Sequence, residues 1–468
     1  MTTARLHFDM VVIGFGKGGK TLAGAYAKTG KNVALIEQSS NMYGGTCINI
    51  GCVPTKALVH RADEFRASGE HNAEAADAAY ESAGIFRDKL TSAMRAKNRE
   101  ILESNATAKL IDGHARFLSD TEVEVTAGED KLVVTADCFI INTGAVATIP
   151  PIPGARESKR VLTSTELQKI TPRPKRLGII GGGPIGVEFA GIFSSYGTEV
   201  TLLEGAPALF GRYDDDVAQA AREIIADQGI TAHAGVRVET VTDNADSVTV
   251  NYLDSEGASK HLEVDYVMVA TGRKPATEGL GLENTSIETT EHGAIAVDEH
   301  LRTTAPNIFA LGDVNGGPQF TYISLDDYRV VLSQLLGDGS RSTKDRQAVA
   351  ATIYMNPPLS SVGLTERDAL AAGHTIKVAA KPVAAIAAMP RAKTLENPRG
   401  IMKFVIDAET DQILGAQLLV VESMEVINLV ALAMRHNITA SQLRDEIYTH
   451  PSITEGLNEV LANAVPVN

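Results

Sequence analysis

Three things are scarce in this chain: long apolar runs, positive charge and cysteine. No stretch approaches the roughly 18 consecutive apolar residues of a membrane-spanning helix. Residues 1–10 carry no basic leader or cleavage pattern and run straight into a strand, so a cytoplasmic location is expected. Lys and Arg total 43 against 58 Asp and Glu, a formal net charge of -15. That balance argues against a nucleic-acid or anionic-membrane surface. It leaves a dinucleotide open, because backbone amides do most of the work of holding one. Three cysteines in 468 residues make no disulfide framework. No metal centre is expected. The length suits two to four domains. With 44% hydrophobic and 22% charged residues the composition is that of an ordinary globular protein.

Two of the three cysteines stand close together, in Gly44-Gly45-Thr46-Cys47-Ile48-Asn49-Ile50-Gly51-Cys52-Val53-Pro54-Thr55-Lys56. In a regular helix a five-residue step rises about 7.5 Å. A disulfide wants its Cα atoms within about 6.8 Å. If Cys47 and Cys52 bond, the turn between them must be distorted, and Gly51 supplies the freedom. Pro54 suits a first helical turn, so a helix is expected to start near it. The cysteines then lie at its N-terminal end, where the helix dipole favours a thiolate. Taken alone, the pair fits two unrelated buried thiols equally well. Cys138, in Cys138-Phe139-Ile140-Ile141, reads as a buried strand residue.

Two further stretches share one pattern. Phe8 to Ile13 is an apolar strand leading into Gly14-Phe15-Gly16-Lys17-Gly18-Gly19, then a helix to Thr29 and a strand ending at Glu37. Leu177 to Ile180 leads into Gly181-Gly182-Gly183-Pro184-Ile185-Gly186, then a helix to Tyr196 and a strand ending at Glu204. Each acid follows its first glycine by 23 residues, near the spacing of a carboxylate on a ribose hydroxyl. A lone G-x-G-x-x-G is weak evidence. One set between strand and helix, with the acid in place, is strong.

Between these units, residues 60–110 read as one or two long helices with a solvated face of Glu64, Arg66, Arg87, Asp88 and Lys89. Residues 111–142 alternate as strands and close on Asn142-Thr143-Gly144-Ala145. Ile149-Pro150-Pro151-Ile152-Pro153-Gly154 is a stiff linker. A second turn, Ala270-Thr271-Gly272-Arg273-Lys274-Pro275, ends the insertion. The strand before Gly312 and Asp313 delivers them at its C-terminal end, where ligands bind in open α/β sheets. A helix is expected from Ser324 to Leu336. The resulting plan is 1–150, 151–272, 273–344 and 345–468. The last segment mixes strands with Ala- and Leu-rich helices and ends near His450-Pro451-Ser452-Ile453-Thr454-Glu455. On its own, a histidine beside proline is more often structural.

Together these motifs resemble the pyridine nucleotide–disulfide oxidoreductases, the family of glutathione reductase, dihydrolipoamide dehydrogenase and mercuric reductase. The resemblance implies two Rossmann-like dinucleotide-binding domains, the second inserted in the first, plus a C-terminal α+β dimerisation domain. It implies a redox-active Cys47–Cys52 disulfide, with Cys52 beside the flavin and Cys47 as the outer sulfur that attacks substrate. His450 becomes the acid–base group, oriented by Glu455 and reaching in from a partner subunit of a homodimer. The apolar stretches Val426 to Met434 and Ile453 to Val465 would suit a surface buried between subunits. The disulfide follows the first fingerprint within one unit, so FAD is assigned to Gly14, Gly16, Gly19 and Glu37. Gly45, Thr46, Lys56, Ala115, Gly144 and Asp313 join them by resemblance. NAD(P)H is assigned to Gly181, Gly183, Gly186, Glu188, Glu204 and Gly272, with Glu188 expected to pair with Lys56. Glu204 repels a 2′-phosphate, so NADH is expected over NADPH. Arg212 is the nearest cation downstream that could rescue NADPH.

Within the family, mercuric reductases and large thioredoxin reductases carry a C-terminal redox pair; the last residues here, Ala464 to Asn468, hold no cysteine. The soluble transhydrogenases lack the cysteine pair this chain has. The sequence is most similar to the reactive-chlorine-resistance (RclA-type) branch, through Ile13 to Lys17, Asn41 to Cys52, Gln319 to Arg329, Pro382 to Ile386 and Tyr448 to Pro451. That branch implies reduction of hypothiocyanous acid in oxidant defence, with copper(II) reduction also attributed to it. Dihydrolipoamide dehydrogenase and a mercuric or cupric reductase share the same parts. A non-enzymatic redox sensor would need neither the dithiol nor the His450–Glu455 pair.

Overall fold

The computed structural model describes residues 4–70 and 72–467. It divides into two compact units: Met1–Ala57, Gly84–Thr148 and Gly272–Asp345 form one, and Leu58–Ala83, Ile149–Thr271 and Arg346–Asn468 the other.

The first unit is built on a sheet with Ala4–Ile13 near its middle. Val33–Glu37 and Asp130–Ile141 flank that strand, both parallel to it, and Ala108–Asp112 lies outside Val33–Glu37. Ile308–Ala310 also runs parallel to Asp130–Ile141. Met10 to Ile13 and Val33 to Ile36 are buried without alternation, as in a sheet covered on both faces. Glu122–Ala127 instead alternates buried and half-buried residues and pairs antiparallel.

The second unit repeats the motif. Ile230–Ala234, Glu199–Glu204, Arg176–Ile180, Tyr266–Val269 and Val161–Leu162 form a parallel sheet in that order. A three-stranded antiparallel sheet of Arg237–Asp243, Val248–Leu253 and Ser259–Val264 follows it. The C-terminal part is a six-stranded antiparallel sheet, with Ile413–Leu419 and Ile401–Asp407 central and helix Ser423–Arg435 packed against it.

A charged cluster surrounds a buried lysine in this second unit. Lys403, only 3% exposed, points Nζ at Asp216 (2.7 Å), Asp214 (3.5 Å) and Glu366. Gln417 accepts from the Asp214 backbone N–H at 2.9 Å and donates to its carboxylate at 2.6 Å. A buried ammonium is tolerable only with such partners.

Several expectations need correction. The helix after the cysteines starts at Cys52 and runs to Ser68, so Pro54 lies inside its first turn. The break between the cysteines falls at Ile50, with φ -140° and ψ -3°, after a short helix Thr46–Asn49. Gly51 contributes space there, since a Cβ would sit 3.1 Å from the Thr46 carbonyl oxygen. The helix Ala73–Glu103 does not present all its charges to water: Arg87 is 6% exposed, and Arg66 of the preceding helix is half-buried against Ser194 and the Gly191 carbonyl. The helix expected from Ser324 begins at Thr321. Val426, Ile427, Val430, Ala431, Ile453, Leu457 and Val460 are buried in the chain's own C-terminal core. Much of each stretch is therefore covered by the chain itself, while Leu432 and Val465 stay exposed.

Candidate active site

Two cradles come first, because the same local chemistry builds both. The central strands deliver Gly14 and Gly181 at their C-terminal ends with φ +100° and +110°, conformations that favour glycine. A Cβ at Gly14 would lie 2.4 Å from the Asn142 carbonyl oxygen, and one at Gly181 would lie 2.5 Å from that of Ala270. The two T-G turns noted in the sequence thus back directly onto the two fingerprints. At Gly186 a Cβ would stand 2.0 Å from the Gly181 carbonyl, which fixes close helix–strand packing. Helices Lys17–Ala27 and Pro184–Ser195 start at Gly16 and Gly183 with no side-chain cap. Their first amides point forward with the positive end of the dipole, the arrangement that holds a pyrophosphate.

The two acids are held alike. Glu37 accepts the Phe15 N–H at 3.0 Å on Oε2 and the Ser39 N–H at 3.1 Å on Oε1. Glu204 accepts the Gly182 N–H at 2.5 Å on Oε2 and the Ala206 N–H at 2.6 Å on Oε1. Each oxygen keeps lone-pair capacity for a ribose hydroxyl. Burial raises the pKa of Glu37 and the amide donors oppose it. Uncapped helix starts, crowded glycines and tethered carboxylates fit one dinucleotide in each unit.

Around the first cradle the structure assembles most of the remaining predicted residues. A Cβ at Gly45 would lie 2.6 Å from Gly16 Cα, so the cysteine loop rests on the fingerprint. The Thr46 carbonyl accepts from Ile50 and Gly51. Asp313 opens a short 3-10 turn; burial raises its pKa, while the nearby Arg273 charge pulls it down. Gly312 is fixed by its N–H to Asp327 at 2.7 Å. Gly144 (φ +74°) accepts from Ala276 at its carbonyl. Ala115 is buried in its strand, with its side chain in the sheet core. Cys138 is 7% exposed within Asp130–Ile141, the buried strand position expected. In the second unit Gly272 is not included, since it falls in the first at φ +125°, where its carbonyl accepts from Thr148. Glu188 is 4% exposed and accepts the Tyr354 N–H at 3.0 Å.

Cys47 is half-buried in the short helix, and Cys52 is the exposed first residue of the next. Both are thiols here, with no disulfide between them. Each side chain is hydrogen-bonded to the other. The Cys47 thiol donates to Cys52, which lowers the Cys52 pKa to about 6 against the opposing effect of burial; the Thr321 hydroxyl and the Lys56 charge help. The same hydrogen bond, burial and the Cys52 charge push Cys47 up. The reduced pair therefore carries one negative charge, on Cys52, at the N-terminus of a helix. Thr321 Oγ1 lies 3.5 Å from Cys52 Sγ.

In the second unit, His450 Nδ1 lies 2.7 Å from Glu455 Oε2. Oε1 of that carboxylate accepts the Ser452 N–H at 2.8 Å. The His450 side chain is 68% exposed and that of Glu455 12%. The acid is fixed and the imidazole is presented outward, an arrangement that keeps a base oriented for a reactant brought to it. No group of three or more His, Cys, Asp or Glu suited to a metal occurs among the described residues. Among them, too, no helix is long and apolar enough to cross a membrane.

Four contributors escaped the sequence reading. Thr321 reaches Cys52 from a remote helix. Asn142, named in the sequence only as the start of a turn, donates its side-chain amide to the Gly14 carbonyl at 3.2 Å. Asp327 anchors Gly312, and Arg273 stands by Asp313. The Gly272-Arg273-Lys274-Pro275 string could have flagged Arg273; Thr321 and Asp327 lie in the Gln319–Arg329 stretch, and Asn142 in the first turn, without any sign there of these contacts.

The comparisons with known proteins agree with this geometry. Residues 8–327 match the model for pyridine nucleotide-disulphide oxidoreductases, and residues 349–461 match the dimerisation domain of that family. The chain is 45% identical to the probable pyridine nucleotide-disulfide oxidoreductase RclA of Escherichia coli over 97% of this chain and 99% of that protein. It is 34% identical to a mercuric reductase of Staphylococcus aureus, over 96% of this chain and 81% of the other. A dihydrolipoyl dehydrogenase of Cupriavidus necator is 33% identical, with 97% of each chain covered. The solved structure described as the HOCl-induced flavoprotein disulfide reductase RclA from Escherichia coli superposes with a TM-score of 0.90 at 45% identity, covering 97% of this chain and 99% of that one. With two dinucleotide cradles, a dithiol and this full-length likeness, the chain belongs to the pyridine nucleotide–disulphide oxidoreductases, enzymes that depend on FAD and a pyridine nucleotide.

Proposed function

We propose that this enzyme uses NADH to reduce hypothiocyanous acid to thiocyanate, as part of oxidant defence in the cytoplasm. The observation that carries the reading is the reduced dithiol: Cys47 hydrogen-bonded to Cys52, which is held as a thiolate near pKa 6 and is ready to close on Cys47 once that sulfur has reacted. Likeness to an HOCl-induced reductase favours a small electrophilic oxidant. FAD belongs to the Gly14–Glu37 cradle, beside the cysteines, and the nicotinamide to the Gly181–Glu204 cradle. When bound, the two cofactors supply two electrons per turnover, which return the disulfide to two thiols. The Glu204 carboxylate, fixed by two amides, favours the free ribose of NADH over a 2′-phosphate.

In the oxidative half, Cys47 Sγ attacks the sulfur of hypothiocyanous acid. The S–O bond breaks and the departing hydroxide takes a proton to become water. Cys52 Sγ then attacks Cys47 Sγ, the bond to the thiocyanate sulfur breaks, and thiocyanate leaves. Two thiols become one disulfide, and the oxidant gains two electrons. His450, held by Glu455, moves the proton. The dimerisation domain supports a homodimer, and the exposed imidazole supports completion of each site by the partner subunit's His450. Lys56 helps to hold the Cys52 charge, and would stand near the flavin when it is bound.

The test is rapid mixing of the NADH-reduced enzyme with a panel: hypothiocyanite, lipoamide, glutathione disulfide, mercuric and cupric ions. Hypothiocyanite should reoxidise it at least tenfold faster than any other. Fastest reoxidation by lipoamide would instead make it a dihydrolipoamide dehydrogenase, and by a metal ion a metal reductase.

A further inference from the structure

The two T-G turns hold equivalent places and differ at their first residue, Asn142 in one and Ala270 in the other. The Asn142 N–H donates to the Ile13 carbonyl and the Ala270 N–H to the Ile180 carbonyl, each at 2.8 Å and each just before the first glycine of a fingerprint. In the second cradle the turn brings only a methyl group. The helix start there packs backbone on backbone: a Cβ at Gly186 would stand 2.0 Å from the Gly181 carbonyl oxygen, and one at Gly183 would meet nothing within 4 Å. In the first cradle a side chain enters. A Cβ at Gly16 or at Gly19 would stand 2.6 Å from Asn142 Nδ2. The same nitrogen donates to the Gly14 carbonyl at 3.2 Å. Asn142 Oδ1 borders Gly312, where a Cβ would be 3.3 Å away. Asn142 is buried, so one amide is wedged among all three glycines of the fingerprint and the turn that carries Asp313. Ser324 holds the loop from another direction, accepting the Gly18 N–H at 3.1 Å.

We propose that Asn142 is a positioning residue for FAD: its amide braces the first cradle so that the flavin nucleotide, once bound, is retained. The inference rests on placing FAD in the Gly14–Glu37 cradle. Two physical effects carry it. A glycine-rich loop is mobile by default, and ordering it against a ligand costs affinity; a loop already pinned at Gly14 and Gly18 has less order left to lose. A carbonyl oxygen left free beside a pyrophosphate repels it; Nδ2 ties up the one at Gly14 and offsets its partial charge. The second cradle has no such side chain, and it is assigned to the nucleotide that must leave at every turnover. The two cradles thus share a backbone plan and differ in a brace, which matches a resident cofactor in one and an exchanging one in the other.

The test uses the oxidised holoenzyme and needs no turnover. FAD release is followed on dilution by the fluorescence of free flavin, and NAD+ affinity by the change it makes in the flavin absorbance. Asn142→Ala should speed FAD release about fivefold, the loss of one neutral hydrogen bond, and leave NAD+ affinity unchanged. Alanine suits such a turn, as Ala270 shows. Asn142→Leu fills the same space without a donor and should release FAD as fast as Asn142→Ala; release at the wild-type rate would reduce Asn142 to a space-filler and overturn the proposal. Asn142→Asp turns the donor into an acceptor, so its FAD release should rise between about pH 5 and 8 more steeply than that of Asn142→Ala, as the carboxyl ionises beside the pyrophosphate. The phosphorus magnetic resonances of bound FAD should move in Asn142→Ala; packing remote from the pyrophosphate would leave them in place. Unchanged release in both Asn142→Ala and Asn142→Leu, a pH profile of Asn142→Asp no steeper than that of Asn142→Ala, or unmoved phosphorus resonances overturns the role of Asn142. Weakened NAD+ binding with FAD release unmoved would instead overturn the assignment of the cradles, so the two failures are told apart.

Discussion

Thr321→Val removes a hydroxyl and little else, and it should raise the first pKa of the reduced dithiol. Oγ1 lies 3.5 Å from Cys52 Sγ. Hydrogen bonds to charged groups contribute about 1.5–3 kcal/mol, and a long contact to sulfur belongs at the low end. One pKa unit corresponds to about 1.4 kcal/mol. Loss of the hydroxyl should thus move Cys52 from about 6 to about 7. At pH 7 its thiolate fraction falls from roughly nine-tenths to roughly half. The sign follows from the depressed pKa: the thiolate forms as pH rises through the native value, so the whole titration shifts to higher pH. Ultraviolet thiolate absorbance of the reduced enzyme against pH reads it directly, with Thr321→Ser as the control that keeps the hydroxyl. The two sulfurs titrate as a pair, so the measured values belong to the pair. A first step that stays near 6, or moves down, refutes the assignment of Thr321. A shift in Thr321→Ser as large as in Thr321→Val would locate the effect in packing.

Two further predictions concern the nucleotide and the assembly. Glu204→Ala should narrow the ratio of kcat/KM for NADH over NADPH by about tenfold, since it removes a carboxylate that would face a phosphate; a wild type already preferring NADPH would point to Arg212 or another cation. Mixed dimers of Cys47→Ser and His450→Ala subunits, each inactive alone, should regain one working site per heterodimer, about half the wild-type turnover; no recovery in the mixture would show that each subunit works with its own histidine.

Much of this was written in short-range spacing. A G-x-G-x-x-G and the acid after it lie in one strand–turn–helix–strand unit, so local sequence suffices to place Gly14 with Glu37 and Gly181 with Glu204. The same holds for His450 and Glu455, five residues apart and bonded as expected. Contacts set by the tertiary fold were not legible. Thr321 and Cys52 are 269 positions apart. Asn142 read only as the first residue of a turn, yet its amide sits against the first fingerprint. Pro54 marked the helix start to within two residues, because its φ suits any position of a first turn; the helix begins at Cys52, and the Thr55 hydroxyl donates back to the Gly51 carbonyl at 2.7 Å there. Val426 to Met434 did mislead. An apolar pattern states that a face is covered and not by what, and the chain's own sheet covers most of this one.

The cluster at Lys403 bears on how the nucleotide preference of such an enzyme can change. Two of its acids, Asp214 and Asp216, come with the segment that carries the second fingerprint; Lys403, Glu366 and Gln417 come with the C-terminal part. A nicotinamide cassette transplanted from a relative would have to bring both acids in register, or leave an ammonium buried without its partners. Whole-segment exchange is thereby penalised. Single replacements at Glu204 leave the cluster untouched, so if that acid faces the ribose as proposed, drift in cofactor choice has an easier route through Glu204 than through recombination.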